Sequence, residues 1–150
     1  MLFRSPRVYV ATMQVWDEES RRRVEKHRRM RKEKAFLTKE APTNLLAAAE
    51  EVPAGSAVLL EDVTNLCANE RFDPSGAGEN AQTAILAGVR ALQKKCALLV
   101  IVSGDVASGG SEYEGETLEY MKVLARTNIA IANEADEVYE AVAGNLVRHK

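Results

Sequence analysis

The chain has 150 residues, 46% hydrophobic and 28% charged, with a formal net charge of −2. That is the length of one domain with a real core, and a charge balance that excludes a polyanion binder as a whole molecule. Cys67 and Cys96 are isolated thiols without metal-ligand or disulfide-framework spacing. The longest apolar run, residues 97–102, is too short to span a bilayer. With no secretory pattern ahead of it, the chain reads as cytoplasmic.

Residues 1–6 have no recognisable role, and Leu2-Phe3-Arg4-Ser5 reads as a non-native leader, so the single domain is expected to start near Arg7. Residues 7–12 are β-branched and aromatic, a first strand. Residues 17–34 follow as a helix with acids first and bases later, the order a helix macrodipole favours. A short extended piece is expected at 35–38. Pro42-Thr43 opens a helix reaching about Val52, and Pro53-Ala54-Gly55-Ser56 is a turn. Residues 57–60 are a buried strand and 63–72 a returning helix. Residues 73–78 form a loop expected to be mobile. Residues 80–95 have helical spacing, with Ile85, Val89 and Leu92 on one face. Residues 97–102 are the strongest strand, 103–110 a glycine-containing loop, and 116–135 a long helix. Residues 138–142 and 146–148 close the chain as a hairpin around Gly144-Asn145. Strands alternating with helices imply an α/β fold, a mostly parallel sheet with helices on both faces. In such sheets ligands sit at the carboxyl ends of the strands.

His27 stands out on the first helix. At helical spacing its neighbours are Arg23 and Arg31, cations that favour a neutral, nucleophilic ring and would stabilise charge developing on a phosphate. A solvated histidine on a basic helix is the plainer reading. Nine Lys or Arg lie between Arg21 and Lys34, a run that could contact nucleic acid, yet it holds no aromatic to stack a base. Glu61-Asp62 follows a strand, where carboxylates can hold Mg²⁺ or meet a base edge. Asp62 as the cap of the next helix explains the pair equally well. Asp105 is placed similarly, with Gly104, Gly109 and Gly110 permitting close backbone approach. No glycine in the chain is followed by lysine, so there is no G-x-x-x-x-G-K-[ST] phosphate loop.

Three blocks carry a resemblance. The first is Tyr9-Val10-Ala11-Thr12, Asp17-Glu18-Glu19 and Arg23-Val24-x-x-His27. The second is Leu59-Leu60-Glu61-Asp62-Val63-Thr64-Asn65 with Ala68-Asn69-Glu70. The third runs over 102–110, then Glu112-Tyr113, Glu116-Thr117, Asn128, Ala135-Asp136-Glu137-Val138 and Gly144. In order and spacing they resemble the bifunctional adenosylcobinamide kinase/adenosylcobinamide-phosphate guanylyltransferases of cobalamin synthesis. The resemblance implies a RecA-like P-loop NTPase fold and two reactions. One phosphorylates adenosylcobinamide with ATP or GTP. The other moves GMP from GTP through a guanylylated histidine onto adenosylcobinamide phosphate. It places His27 at that histidine, Thr12, Met13, Gln14, Arg28, Arg31 and Glu40 at the nucleotide, and Glu61 at the guanine. It further implies Mg²⁺ and a homo-oligomer, and leaves no role for a membrane or a nucleic acid.

Departures accompany it. The family begins with a strand, phosphate loop and helix, and this sequence starts after them, as a truncated reading frame would. Gly104-Asp105 stands where the family usually has Asn-Glu, and Arg29-Met30-Arg31-Lys32 replaces its usual glycine and lysine. Lacking the loop, this form is expected to be catalytically impaired. A degenerate paralogue acting as a binding or assembly subunit is the alternative, and a basic-helix nucleic-acid binder a more distant one.

Overall fold

Every second residue of Val8-x-Val10 and Val58-x-Leu60 is aliphatic, so two strands paired in register present one continuous apolar face. The computed structural model, which describes residues 5–15, 17–104 and 115–150, builds its core on that face. Strands β1 (Arg7–Ala11), β2 (Leu37–Glu40), β3 (Ala57–Glu61) and β4 (Leu98–Val102) form one all-parallel sheet in the order β2-β1-β3-β4. Ala11 is level with Glu40 on one side and Glu61 on the other, and Glu61 with Val102. The carboxyl tips therefore form a row.

Helices α2 (Leu45–Glu51), α3 (Val63–Phe72), α4 (Ala81–Lys95) and α5 (Gly115–Glu134) supply the other half of the core. Leu45, Val52, Leu66, Ile85, Leu92 and Leu124 pack with Val8, Val10, Val58 and Leu60. The opposite face is treated differently. Helix α1 (Glu18–Glu33) brings Arg31 over Tyr9 there, while Leu98, Val100 and Val102 of β4 are 58%, 45% and 39% exposed. Helices flank the sheet as expected, but unequally on its two faces.

Local chemistry explains most boundaries. Asp17 caps α1, its carboxylate accepting the Ser20 N–H at 2.7 Å, with Glu18 and Glu19 in the first turn. The extended piece expected at 35–38 starts at Leu37 because the helix end is closed first. Ala35 takes a left-handed φ of 60° and the Phe36 N–H bonds Arg31 O at 3.1 Å. Helix α2 begins at Leu45, not at Pro42-Thr43, because Asn44 is its cap and accepts the Ala47 N–H at 3.3 Å. A short 3₁₀ turn, Gly78–Asn80, leads into α4. Strands β5 (Tyr139–Val142) and β6 (Asn145–Arg148) form a separate antiparallel hairpin. Its two-residue turn is Ala143-Gly144, one residue earlier than expected, with φ of 49° and 80°; positive φ at both positions matches the twist of the flanking strands. Pro6 also has a role, its carbonyl accepting the Ala57 N–H at 2.8 Å.

The loop at 73–78, expected to be mobile, is pinned. Asp73 accepts the Ser75 N–H and hydroxyl at 2.9 and 2.6 Å, and the buried Glu70 carboxylate takes backbone N–H groups from Asn44 and Ala77. Cys67 and Cys96 are free thiols, and burial pushes the Cys67 thiol up to about 11. None of the described helices is long and apolar enough to cross a membrane.

Gly88 sets how closely α2 and α4 approach. A Cβ there would lie 2.6 Å from Leu45 Cβ and 2.7 Å from its Cγ, and Leu45 is 1% exposed with nowhere to retreat. Gly88→Ala gains about 1 kcal/mol of helix propensity against an overpacking cost of about 1–3 kcal/mol. A net loss of up to about 2 kcal/mol is expected, read as a lower denaturation midpoint at unchanged m.

Candidate active site

Strand parity and register assemble the site. Tyr9 and Ala11 on β1, and Leu59 and Glu61 on β3, point away from the core. Glu61, level with Ala11, is therefore the diagonal same-face neighbour of Tyr9, within reach of a long side chain. The Tyr9 hydroxyl donates to Glu61 Oε2. Above the ring, the Arg31 guanidinium sits 4.0 Å from the centroid, and Phe36 meets it edge-on at 6.3 Å. Arg31 Nε donates to His27 O at 3.0 Å. Burial lowers the Arg31 pKa somewhat and, with the facing carboxylate, pushes the Tyr9 hydroxyl far up. Tyr9 thus stays a proton donor.

Behind this layer, Thr12 is completely buried. Its hydroxyl donates to Asp62 O and accepts the Asp62 N–H, both at 2.8 Å. Asn69 Nδ2 donates to Thr12 O at 2.7 Å. Asp62 caps α3 by accepting the Asn65 N–H at 2.7 Å, while burial raises its own pKa. The cap and the functional reading of Glu61-Asp62 prove compatible: Asp62 holds the helix and Glu61 faces outward.

A cleft opens where α1 crosses the strand tips. His27, Met13, Arg31, Glu40 and Glu61 line it, with Tyr9, Val24, Asp62 and Asn65. Of the remaining sequence-derived residues, Arg28 is ion-paired to Glu40 at the rim. Gln14 turns away and donates to Asp73 at 3.0 Å. Thr12 lies beneath the floor. The flanking arginines also differ from expectation. Arg23 is ion-paired with Glu19 at 2.5 Å, and Arg31 lies inward on Tyr9, so neither guanidinium is simply presented beside the imidazole.

Tyr9 and Asn65 are the polar cleft residues that the sequence did not single out for chemistry. A tyrosine between two valines reads as core, and only the strand register reveals that it shares a face with Glu61. On the far side, Thr64, Ser103, Gly104 and Asn128 form a second network. Gly104 N–H donates to Thr64 Oγ1 at 2.8 Å, Ser103 Oγ to Asn128 Oδ1 at 2.6 Å, and Tyr120 OH to Thr64 O at 3.0 Å. It steadies the end of β4. Asp105, Gly109 and Gly110 lie outside the described residues.

The donor set does not make a protein-held Mg²⁺ site. Among the described residues no three His, Cys, Asp or Glu side chains cluster to hold a metal. The cleft carboxylates are engaged, Glu40 by Arg28, Glu61 by Tyr9 and Asp62 by the α3 N-terminus.

A four-stranded all-parallel sheet flanked by helices is an α/β fold consistent with a P-loop-like NTPase, and its cleft lies at the carboxyl ends of the strands, where ligands sit in open α/β sheets. Comparison with known families narrows the class. The family model for cobinamide kinase / cobinamide phosphate guanyltransferase matches residues 2–148. The chain is 31% identical over 156 residues to the bifunctional adenosylcobalamin biosynthesis protein CobU of Escherichia coli (strain K12), covering 95% of this chain and 85% of that protein. The chain belongs to the cobinamide kinase / cobinamide phosphate guanyltransferase family.

Proposed function

We propose that this protein transfers GMP from GTP to adenosylcobinamide phosphate through His27, and shares the family's adenosylcobinamide kinase reaction with ATP or GTP as donor. The observation that carries the reading is the common cleft: His27, on the helix, and Glu61, at a strand tip, line the same opening.

In the first half-reaction a neutral imidazole nitrogen attacks the α-phosphorus of GTP. The phosphorus–nitrogen bond forms as the bond to the β-phosphate oxygen breaks, and pyrophosphate leaves. In the second, a phosphate oxygen of adenosylcobinamide phosphate attacks that phosphorus, the phosphorus–nitrogen bond breaks, and adenosylcobinamide-GDP departs from a regenerated imidazole. Glu61 accepts hydrogen bonds from the guanine edge. Met13 offers an apolar wall beside it, while Arg28 and Glu40 form the rim. Mg²⁺, if carried, comes with the nucleotide phosphates. Self-association as a homo-oligomer in the cytoplasm completes the proposal. With no Gly-Lys pair in its 150 residues, this polypeptide binds triphosphate weakly and turns over slowly.

The test uses GTP at millimolar concentration, labelled at either the α- or the γ-phosphate. Label from the α position alone is expected on the protein, acid-labile, mapped to His27 and discharged by adenosylcobinamide phosphate. Label from the γ position, or none from the α position, overturns the reading.

A further inference from the structure

The hydroxyl of Tyr9 is committed to Glu61, its ring is covered by Arg31, and Arg31 is bonded to the backbone of His27. These contacts run without a gap from the helical turn that carries the nucleophile to the strand tip that carries the carboxylate. We propose that Tyr9 is a positioning residue that gives this site its preference for guanine, by holding Glu61 in the orientation that receives a two-donor base edge. This rests on the reading of Glu61 as the guanine-facing residue.

The chemistry is specific. A carboxylate has about four lone-pair sites on two oxygens. Tyr9 occupies one, on Oε2. Among the described residues no other side-chain hydrogen bond engages Oε1 or the remaining lone pair of Oε2, which suits the adjacent N1–H and 2-amino donors of guanine. Adenine presents an acceptor at N1, opposite a carboxylate with nothing to donate. A Glu side chain free to rotate would meet many donors equally. One oxygen pinned by a fixed phenol cannot turn its plane away.

The phenol is itself fixed. Tyr9 is 7% exposed, held between Arg31 on its face and Phe36 at its edge. Since the hydroxyl does not ionise near neutral pH, it keeps the proton it donates to Glu61 and never becomes a phenolate that would repel the carboxylate. Arg31 adds the second constraint, because its Nε bond to His27 O places the histidine turn on the same block. Carboxylate and nucleophile therefore keep a set spacing.

Equilibrium competition with GTP and ITP tests this without requiring transfer. ITP lacks the 2-amino donor, so the ratio of Kd for ITP to Kd for GTP isolates the base edge and cancels the triphosphate contribution. A lost hydrogen bond to a charged group corresponds to about tenfold or more, and the unmodified protein should show a ratio of that size. Tyr9→Phe keeps the ring under Arg31 and removes only the hydroxyl. Its ratio should fall several-fold toward one, with Glu61→Gln as the benchmark for a lost carboxylate. A tyrosine with a merely structural role would weaken both ligands together and leave the ratio unchanged, and that result overturns the proposal. A ratio of one in the unmodified protein also overturns it. If the ratios behave as expected but no His27 adduct forms, the transfer reading fails and the positioning role of Tyr9 stands.

Discussion

Replacing His27 with asparagine should abolish the α-phosphate adduct and lower GMP transfer by at least about 10³-fold, the scale of removing a covalent nucleophile, while leaving the protein folded and GTP affinity within a few-fold. The separation follows from how the residue is held. The ring is exposed on α1 and makes none of the described side-chain hydrogen bonds; only its backbone carbonyl is engaged, by Arg31. Asparagine retains that carbonyl and has a helix propensity close to histidine. A surface change of this kind alters stability by no more than about 0.5 kcal/mol. Asparagine offers no imidazole nitrogen, so a phosphoramidate cannot form. Thermal unfolding, nucleotide competition and labelling from α-labelled GTP, run on the same preparation, separate the three quantities. Adduct persisting in the variant would move the nucleophile elsewhere in the chain.

Much of this arrangement can be read from local sequence, and the parts that cannot share a cause. Asp17 before Glu18-Glu19, and Asp62 before Val63, are caps whose chemistry acts within one turn, so the starts of α1 and α3 are legible. The aliphatic runs of β3 and β4 carry their own signal. Ala35 with a left-handed backbone does not, because alanine advertises a helix and the turn is imposed by the Arg31 carbonyl collecting the Phe36 N–H. The fates of Tyr9 and Arg31 are non-local in the same way. Helical spacing places Arg31 beside His27. Whether its guanidinium turns outward to a phosphate or inward to a ring depends on an aromatic 22 positions earlier, on another element. Likewise residues 97–102 read as the strongest strand, yet of β4 only Leu99 and Ile101 pack against the core. Periodicity finds elements; register and packing decide which side chains meet at the tips.

Thr12 is where these two kinds of information conflict most usefully. The family resemblance puts it at the nucleotide, while the structure spends both capacities of its hydroxyl on the backbone of Asp62. Thr12→Val keeps shape and removes the clamp, leaving the Asp62 N–H without its partner, while the Asp62 C=O keeps the Leu66 N–H at 3.2 Å. Such an orphan costs about 1–3 kcal/mol when fully buried. Asp62 is only half-buried, so water can repair part of the loss, and the lower end, roughly 1 kcal/mol, is expected. For a chain of this length that is a fall in Tm of about 2–4 °C. Thr12→Ser, which keeps the hydroxyl, should recover most of it. Because the clamp sits directly behind the strand tip, Thr12→Val should also loosen Glu61 and lower the GTP-over-ITP preference along with stability. A threonine that instead touches the nucleotide directly predicts the reverse pattern: an unchanged Tm, with GTP and ITP weakened equally. Melting curves and the two-ligand competition, measured on Thr12→Val and Thr12→Ser side by side, distinguish a clamp from a contact.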